Sequence, residues 1–374
     1  MNTIPTTFND TLPSYTAVGG TERGASTGLS AVLLGRGGGR YPRRIRFHEL
    51  EKIGFDYILS MEGPQERYDV EELSGLFPQV RFILLKEAVS LGEQINLAAS
   101  ELSSPLFFVL RNDLRILHSG GASRMEERLR LGKEERYKGE GQKSLYKRLC
   151  TVPLIQNSHF ETLPTLIAPA VFRATVKPLF FAPAKEGQLS LYPFDGVGIY
   201  DRIRFIRMGG FDSTLKSSHW QLMDFGFRSY LWGEQIGATQ MIRLSYDGET
   251  PPEDSTADES YRRFYLKNLA PVFRGDSALI PLRCFPRYFW RSGKTLFAAW
   301  DDFSQGRQWV KTNRYRFRSD ARAITELWED MGELLAEDHP RLEEGKPEGP
   351  GMEALRFEAP KGEPERIEGS GSLK

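Results

Sequence analysis

Residues 207–233, RMGGFDSTLKSSHWQLMDFGFRSYLWG, hold the densest set of side chains able to do chemistry. Trp220, Phe227 and Leu231 share one helical stripe, and Asp224 falls on it, one turn after Trp220 and one before Arg228. A carboxylate on the apolar side of a helix is costly unless something compensates it, so Asp224 has a partner or a job. The partner is Arg228 at i,i+4; the job is accepting a proton. His219 could act as base or ligand, or it satisfies local hydrogen bonds. Gly209-Gly210 suits a turn that needs positive φ or a backbone that approaches a ligand closely. Trp220 either offers an aromatic face to a ligand or packs in the core.

The elements that must position these groups are short. Segments 30–35 (SAVLLG), 55–61 (FDYILSM), 80–85 (VRFILL) and 105–110 (PLFFVL) read as strands, apolar nearly throughout. They alternate with helix patterns over Arg43–Ile53 and 92–102 and a short helix or turn over 70–76. That alternation implies an α/β fold with a parallel sheet covered on both faces, and ligands in such sheets bind beyond the carboxyl ends of the strands. The rim so defined holds Glu62, Asp113 and the segment Gly37-Gly38-Gly39. Those glycines either cradle phosphates with backbone N–H groups or simply join strand to helix; the Lys-Ser/Thr of a P-loop is missing. Arg36, Arg43 and Arg44 could add positive charge.

Lys plus Arg equals Asp plus Glu at 50 each, so no global field points to nucleic acid. Two cysteines, Cys150 and Cys284, form no disulfide framework or CxxC metal pattern, which suits a reducing cytoplasm. No apolar run approaches the ~20 residues of a membrane span, and the first residues lack the features of a signal peptide.

GGFD, a spacer and a WxxxDxGxR helix ending in glycine resemble the acceptor-side segment of family-2 inverting glycosyltransferases, whose usual form is GGFDE…EDxDLxxR. FDYILSMEG…FPQVRFILLKEAVSLGEQINLAAS…PLFFVLRND resembles the nucleotide half of the same family. The resemblance covers residues 30–115 and 195–245. It implies a GT-A-like, mostly parallel sheet sandwiched by helices. It also implies transfer of a sugar from a nucleoside diphosphate sugar to a glycan or lipid-linked acceptor with inversion. In that reading Glu62, Arg111, Asn112, Asp113 and Arg202 bind the nucleotide sugar, and Asp113 is the ligand of a divalent cation, Mn²⁺ or Mg²⁺. Gly209, Gly210, Asp212 and Trp220 form the acceptor side, with Asp224 or His219 as base. Three positions depart from the family pattern. Met61 replaces an Asp, Arg111 replaces the first acid of DxD, and Gln221-Leu222 replace the Glu-Asp pair. These departures favour the rival reading, a non-catalytic relative that binds nucleotide or glycan as a partner or scaffold. Glu62 could equally be a solvated turn residue, Asp113 could pair with Arg111 or Arg115, and Arg111 could itself meet a phosphate oxygen.

The resulting organisation is a disordered lead over 1–28, a glycosyltransferase-like domain over 29–250 with a hairpin- or lid-like insertion at 115–195, a helical extension over 251–338, and a disordered acidic tail over 339–374. Residues 283–291 (RCFPRYFWR) alternate basic and aromatic side chains. They fit either peripheral association with an anionic membrane surface or an ordinary domain contact with snorkelling side chains. The expected location is cytoplasmic, at or near the inner membrane surface.

Overall fold

The computed structural model describes residues 12–21, 24, 26–35, 42–64, 69–118, 121–134, 148–172, 175–246 and 255–328. In the first part of the chain run β1 (Tyr15–Gly19), β2 (Leu29–Leu34), α1 (Arg43–Ile53), β3 (Ile58–Glu62), α2 (Val70–Leu76), β4 (Val80–Leu85), α3 (Leu91–Glu101) and β5 (Leu106–Arg111). The four apolar segments pair in parallel in the order β4-β3-β2-β5. Every residue of β2 and of β3 is buried, as a sheet covered on both faces requires. Local chemistry fixes the helix ends. Gly54 closes α1 in the left-handed conformation. Ser90 and Glu93 form a reciprocal capping box at the start of α3, an arrangement worth about 1 kcal/mol.

Next come β6 (Leu114–His118), α4 (Ala122–Glu134), β7 (Arg148–Gln156), β8 (Leu166–Phe172), β9 (Thr175–Phe181), β10 (Gly198–Asp201), α5 (Arg202–Arg207), α6 (Ser218–Leu231) and β11 (Gln235–Tyr246). One nine-stranded sheet runs β1-β4-β3-β2-β5-β10-β7-β11-β6. Strand β10 lies antiparallel to both β5 and β7, and β11 runs parallel to β7. Two expectations change here. The lead is not wholly disordered, because Tyr15–Gly19 pairs antiparallel with β4 as the edge strand. The segment 115–195 is not a lid laid over the domain either. It contributes β6 and β7 to the sheet, and only β8–β9 forms a separate hairpin. Pro153 sits inside β7, and the register with β11 slips between Thr239 and Arg243 beside it. A proline has no N–H for the ladder, so the partner strand bulges past it.

The C-terminal part holds α7 (Glu259–Phe264), which continues into a π-helical turn over Tyr265–Leu269, then β12 (Val272–Arg274), β13 (Ser277–Leu279), α8 (Phe285–Ser292) and α9 (Leu296–Asn313). Residues 321–328 form a further helix. Phe264 packs on Trp220 and Phe227 of α6, with ring centroids 5.4 and 5.5 Å apart. Trp328 packs on Tyr230 at 4.7 Å. The described residues thus belong to one compact unit that reaches Asp330. The acidic tail at 339–374 lies outside the described residues. Among the described residues no helix is long and apolar enough to cross a membrane.

Candidate functional site

From β2 the chain moves to β3 and β4 on one side, and β5 then returns to the other side of β2. The strand order therefore reverses between β2 and β5, and the crevice beyond their carboxyl ends is where open α/β sheets take ligands. Gly35 follows β2 there, and Arg111-Asn112-Asp113 ends β5. The Arg111 guanidinium grips Asp195 with two hydrogen bonds, Nε–Oδ2 at 2.9 Å and Nη2–Oδ1 at 2.7 Å, and Nη1 donates to the Gly35 carbonyl at 3.3 Å. Asp195 holds a left-handed backbone (φ 52°) just before β10, whose antiparallel run along β5 delivers it to this rim. Three hydrogen bonds to two segments fix a cation at the switch point.

Glu62 ends β3 on the same rim but is not a solvated turn residue. It is only 3 % exposed, accepts from Ser60 Oγ at 2.5 Å and pairs with Arg43 of α1. Arg43 also pairs with Asp69. Met61 is core. The Gly37-Gly38-Gly39 segment and Arg36 lie outside the described residues. Arg202 belongs elsewhere. Its backbone N–H bonds the Pro105 carbonyl at the start of β5, and its Nε bonds the Ala99 carbonyl at the end of α3. Antiparallel β10 carries the chain back along β5, so Arg202 sits at the opposite edge of the sheet from Arg111. The separation is roughly 20 Å, at ~3.3 Å per strand residue.

The GGFD turn is held from two sides. Asn96 of α3 clamps Phe211, donating Nδ2–H to its carbonyl and accepting its N–H through Oδ1, both at 2.8 Å. Such an approach needs bare backbone: a Cβ on Gly210 would meet Asn96 Oδ1 at 2.2 Å, and one on Gly92 would meet Phe211 Cβ at 2.5 Å. From the other side Arg228 donates to the carbonyls of Met208 and Gly210.

Asp224 lies beneath this turn and is fully buried, as is Arg228. It accepts from Arg228 Nε at 3.1 Å and Asn268 Nδ2 at 2.8 Å, and pairs with Lys267 Nζ at 2.7 Å. Lys267 also holds Asp212 at 2.7 Å, and Arg263 reaches the same oxygen at 3.2 Å. Burial alone would raise the Asp212 carboxyl, but Lys267 and Arg263, with hydrogen bonds from Lys267 and Thr214, hold it well below the ordinary carboxylate range. The π-helical turn makes the cluster possible: its wider winding lets the consecutive residues Lys267 and Asn268 both reach Asp224. Of the two readings of Asp224, partner and job, the geometry is that of the partner. Each of its oxygens is engaged and neither reaches a surface. Asp212, expected on the acceptor side, is sealed in the same cluster.

Gln221, at the position of the family's acid pair, is also consumed by structure. Its Oε1 takes the Gly92 N–H at 3.0 Å, and its Nε2 donates to Ser90 Oγ at 2.8 Å and the Leu215 carbonyl at 2.7 Å. Trp220 is not a groove wall; it is buried against Tyr261 and Phe264 and donates to the Thr256 carbonyl at 2.8 Å. His219 is buried in the first turn of α6, edge-on to Trp220. The structure therefore brings Arg111, Asn112 and Asp113 together at the rim, and gathers Gly209, Gly210, Asp212 and Asp224 into the wall. Asp195, Asn96, Lys267 and Asn268 went unrecognised in the sequence. All four act across long separations in the chain.

Asp113 and the neighbouring Asn112 are the groups suited to a hard cation. Asn112 Oδ1 is a buried atom with no hydrogen-bond partner among the described residues, and Asp113 follows it directly in the chain. A divalent cation that shares its ligands with a phosphate needs only one or two protein carboxylates. Among the described residues no group of three or more His, Cys, Asp or Glu could hold a metal. A cavity of about 1020 Å³ borders the wall, lined by Thr214, Lys216, Arg263 and Lys267 and closed by Tyr288 and Trp309 of α8 and α9.

No protein-family model matches the sequence, and no curated protein does. Among solved structures the chain is similar to GalNAc-T7 with UDP, GalNAc and Mn²⁺ (13% identity, TM-score 0.40, 64% of this chain and 50% of that one). It is also similar to S. aureus TarS 1-349 in complex with UDP-GlcNAc (11%, 0.42, 64% of each) and to S. aureus TarS (11%, 0.40, 64% and 38%). These neighbours are glycosyltransferases of the GT-A fold. The chain spans half of GalNAc-T7 and under two thirds of either TarS structure.

Proposed function

We propose that the chain is a glycosyltransferase that binds a nucleoside diphosphate sugar at the β2–β5 divergence and passes the sugar, with inversion, to a glycan or lipid-linked acceptor. The observation that carries this reading is the Arg111 guanidinium, fixed at the switch point by Asp195 and Gly35 beside Asn112 and Asp113. Three of its five N–H groups are engaged among the described residues, which leaves a preset fork for diphosphate oxygens. Asp113 and Asn112 would hold a divalent cation, Mg²⁺ or Mn²⁺, which when bound adds positive charge at the leaving diphosphate. Inversion is a single displacement. The acceptor oxygen bonds to the anomeric carbon as the bond to the diphosphate breaks, and a base takes the hydroxyl proton. With Asp224 sealed among its three donors, His219 is the candidate left in this segment for that proton. The cavity beside Lys216 and Arg263 has the size of a ligand site and is assigned to the acceptor.

A second reading, a non-catalytic nucleotide- or glycan-binding relative, is favoured by Gln221 and Asp224, whose polar atoms are used up in holding the wall. Calorimetric titration with UDP, GDP and their sugars, with and without Mn²⁺, followed by product analysis, separates the two. Turnover supports transfer, binding without turnover supports the relative, and no binding sinks the transfer reading. Arg111→Ala is expected to weaken nucleotide binding by at least about tenfold, the scale of a lost charge-assisted hydrogen bond. Arg202→Ala, at the opposite edge, is expected to leave binding unchanged; a loss there would return Arg202 to the site.

A further inference from the structure

Helices α8 and α9 present a surface that nothing in the chemistry of transfer requires. Trp290 is 83% exposed and Phe297 86%, and Leu282, Leu296 and Trp300 are about half exposed around them. Large apolar side chains this bare are unusual on a protein in water, and three aromatic rings with two leucines form a patch. Its aromatic part is continuous from Trp290 to Trp300. Trp290 touches Phe289 (ring centroids 6.2 Å apart), Phe289 stacks on Phe285 (6.2 Å), and Phe285 meets Trp300 edge-on (5.0 Å). The inward faces are committed elsewhere: Tyr288 of α8 and Ala299 and Phe303 of α9 are buried, and Tyr288 and Phe303 pack at 5.9 Å. The outward rings are therefore not a core that failed to close.

The charges borne by residues 277–300 carry one sign, with Asp276 and Asp301 just outside the stretch. Between Ser277 and Trp300 stand Arg283, Arg287, Arg291 and Lys294, and no Asp or Glu. The three arginines are exposed; Lys294 is half-buried and turned to Asp302 and Glu259. On α8, Arg287 and Arg291 flank Trp290 at helical spacing, so apolar and cationic groups point outward from the same stretch. A second copy of this chain is a poor occupant, because a two-fold contact here would set arginines against arginines. An anionic lipid surface is complementary to both halves of the pattern: the rings enter the headgroup–acyl boundary while the guanidiniums meet the headgroup phosphates.

We propose that the α8–α9 face, from Leu282 to Trp300, docks the protein peripherally on an anionic bilayer leaflet, with Trp290 and Phe297 inserted and Arg283, Arg287 and Arg291 at the phosphate level. The patch shares no residue with the β2–β5 rim and stands whether or not the chain transfers sugars.

The test is co-sedimentation of the full chain with vesicles of phosphatidylcholine alone and of phosphatidylcholine mixed with phosphatidylglycerol, at low and high salt. Tryptophan quenching by lipids brominated in the acyl chain is read alongside. Expected are binding to the mixed vesicles, weakening with salt, and quenching that Trp290→Ser diminishes. Arg287→Gln with Arg291→Gln is expected to lower partitioning at least about tenfold, as each cation near an anionic surface contributes a comparable share. Trp290→Ser with Phe297→Ser is expected to abolish binding while the thermal midpoint holds, since both side chains are exposed. Failure to bind the mixed vesicles at low salt overturns the proposal. So does sedimentation velocity showing a dimer that the same substitutions dissolve, which would assign the face to self-association.

Discussion

Asp224 shows how strongly one side chain's environment decides its chemistry. A carboxylate gripped by Arg228, Lys267 and Asn268, with no exposed atom, stabilises the fold only while all its partners remain. Asp224→Asn removes the carboxylate that pairs with Arg228 and one of the two that pair with Lys267, so a loss of roughly 3 kcal/mol is expected in denaturant unfolding. A variant that unfolds like the parent yet loses turnover would restore Asp224 as the base. Asp212 makes a pH prediction. Its carboxyl titrates below its unfolded counterpart, because Lys267 and Arg263 outweigh burial. A depressed folded-state carboxyl contributes stability in full above the unfolded value, about pH 4, and loses it as the pH falls further. The thermal midpoint should therefore drop on acidification below about pH 4, and Asp212→Asn should flatten that drop while lowering the midpoint near neutrality.

At the scale of elements, α3 and α6 are registered on each other through the GGFD turn. Asn96→Ala would leave the Phe211 N–H and carbonyl buried without partners, an expected cost of about 2 kcal/mol. Faster hydrogen exchange at residues 209–212 would be its signature, and unchanged exchange would mean that Arg228 alone suffices. The parallel block was legible because β2 to β5 are apolar runs ended by turns, and α1 fell on Arg43–Ile53 as its pattern indicates. Strand β7 was not, because Pro153 interrupts a segment that pairs on both sides. Arg202 was misplaced for a related reason. Strand direction is a tertiary property, and antiparallel β10 turns a residue just upstream of GGFD toward the wrong edge. At the rim, Asp113 could be read from its place at a strand end, whereas the Arg111–Asp195 pair spans 84 residues and leaves no local trace.

For the whole molecule, the charge cluster ties together three stretches, 208–212, 224–228 and 263–268, that are far apart in the chain. The last of these lies in the helical extension, so residues 29–250 alone would carry Asp212 without Lys267 and Arg263, leave Asp224 with Arg228 alone, and expose Trp220 and Phe227 where Phe264 now packs. The extension is thus a working part of the wall. This gives Lys267 an unexpected use. Its amine is 2% exposed and held by two carboxylates, so an amine-reactive reagent can acylate it only in molecules whose wall has come apart. Surface lysines such as Lys216 should react at once, and Lys267 at a rate set by opening. Mass spectrometry of the labelled peptide would then act as a clock, and if the adjoining cavity takes the acceptor, a bound acceptor should slow it.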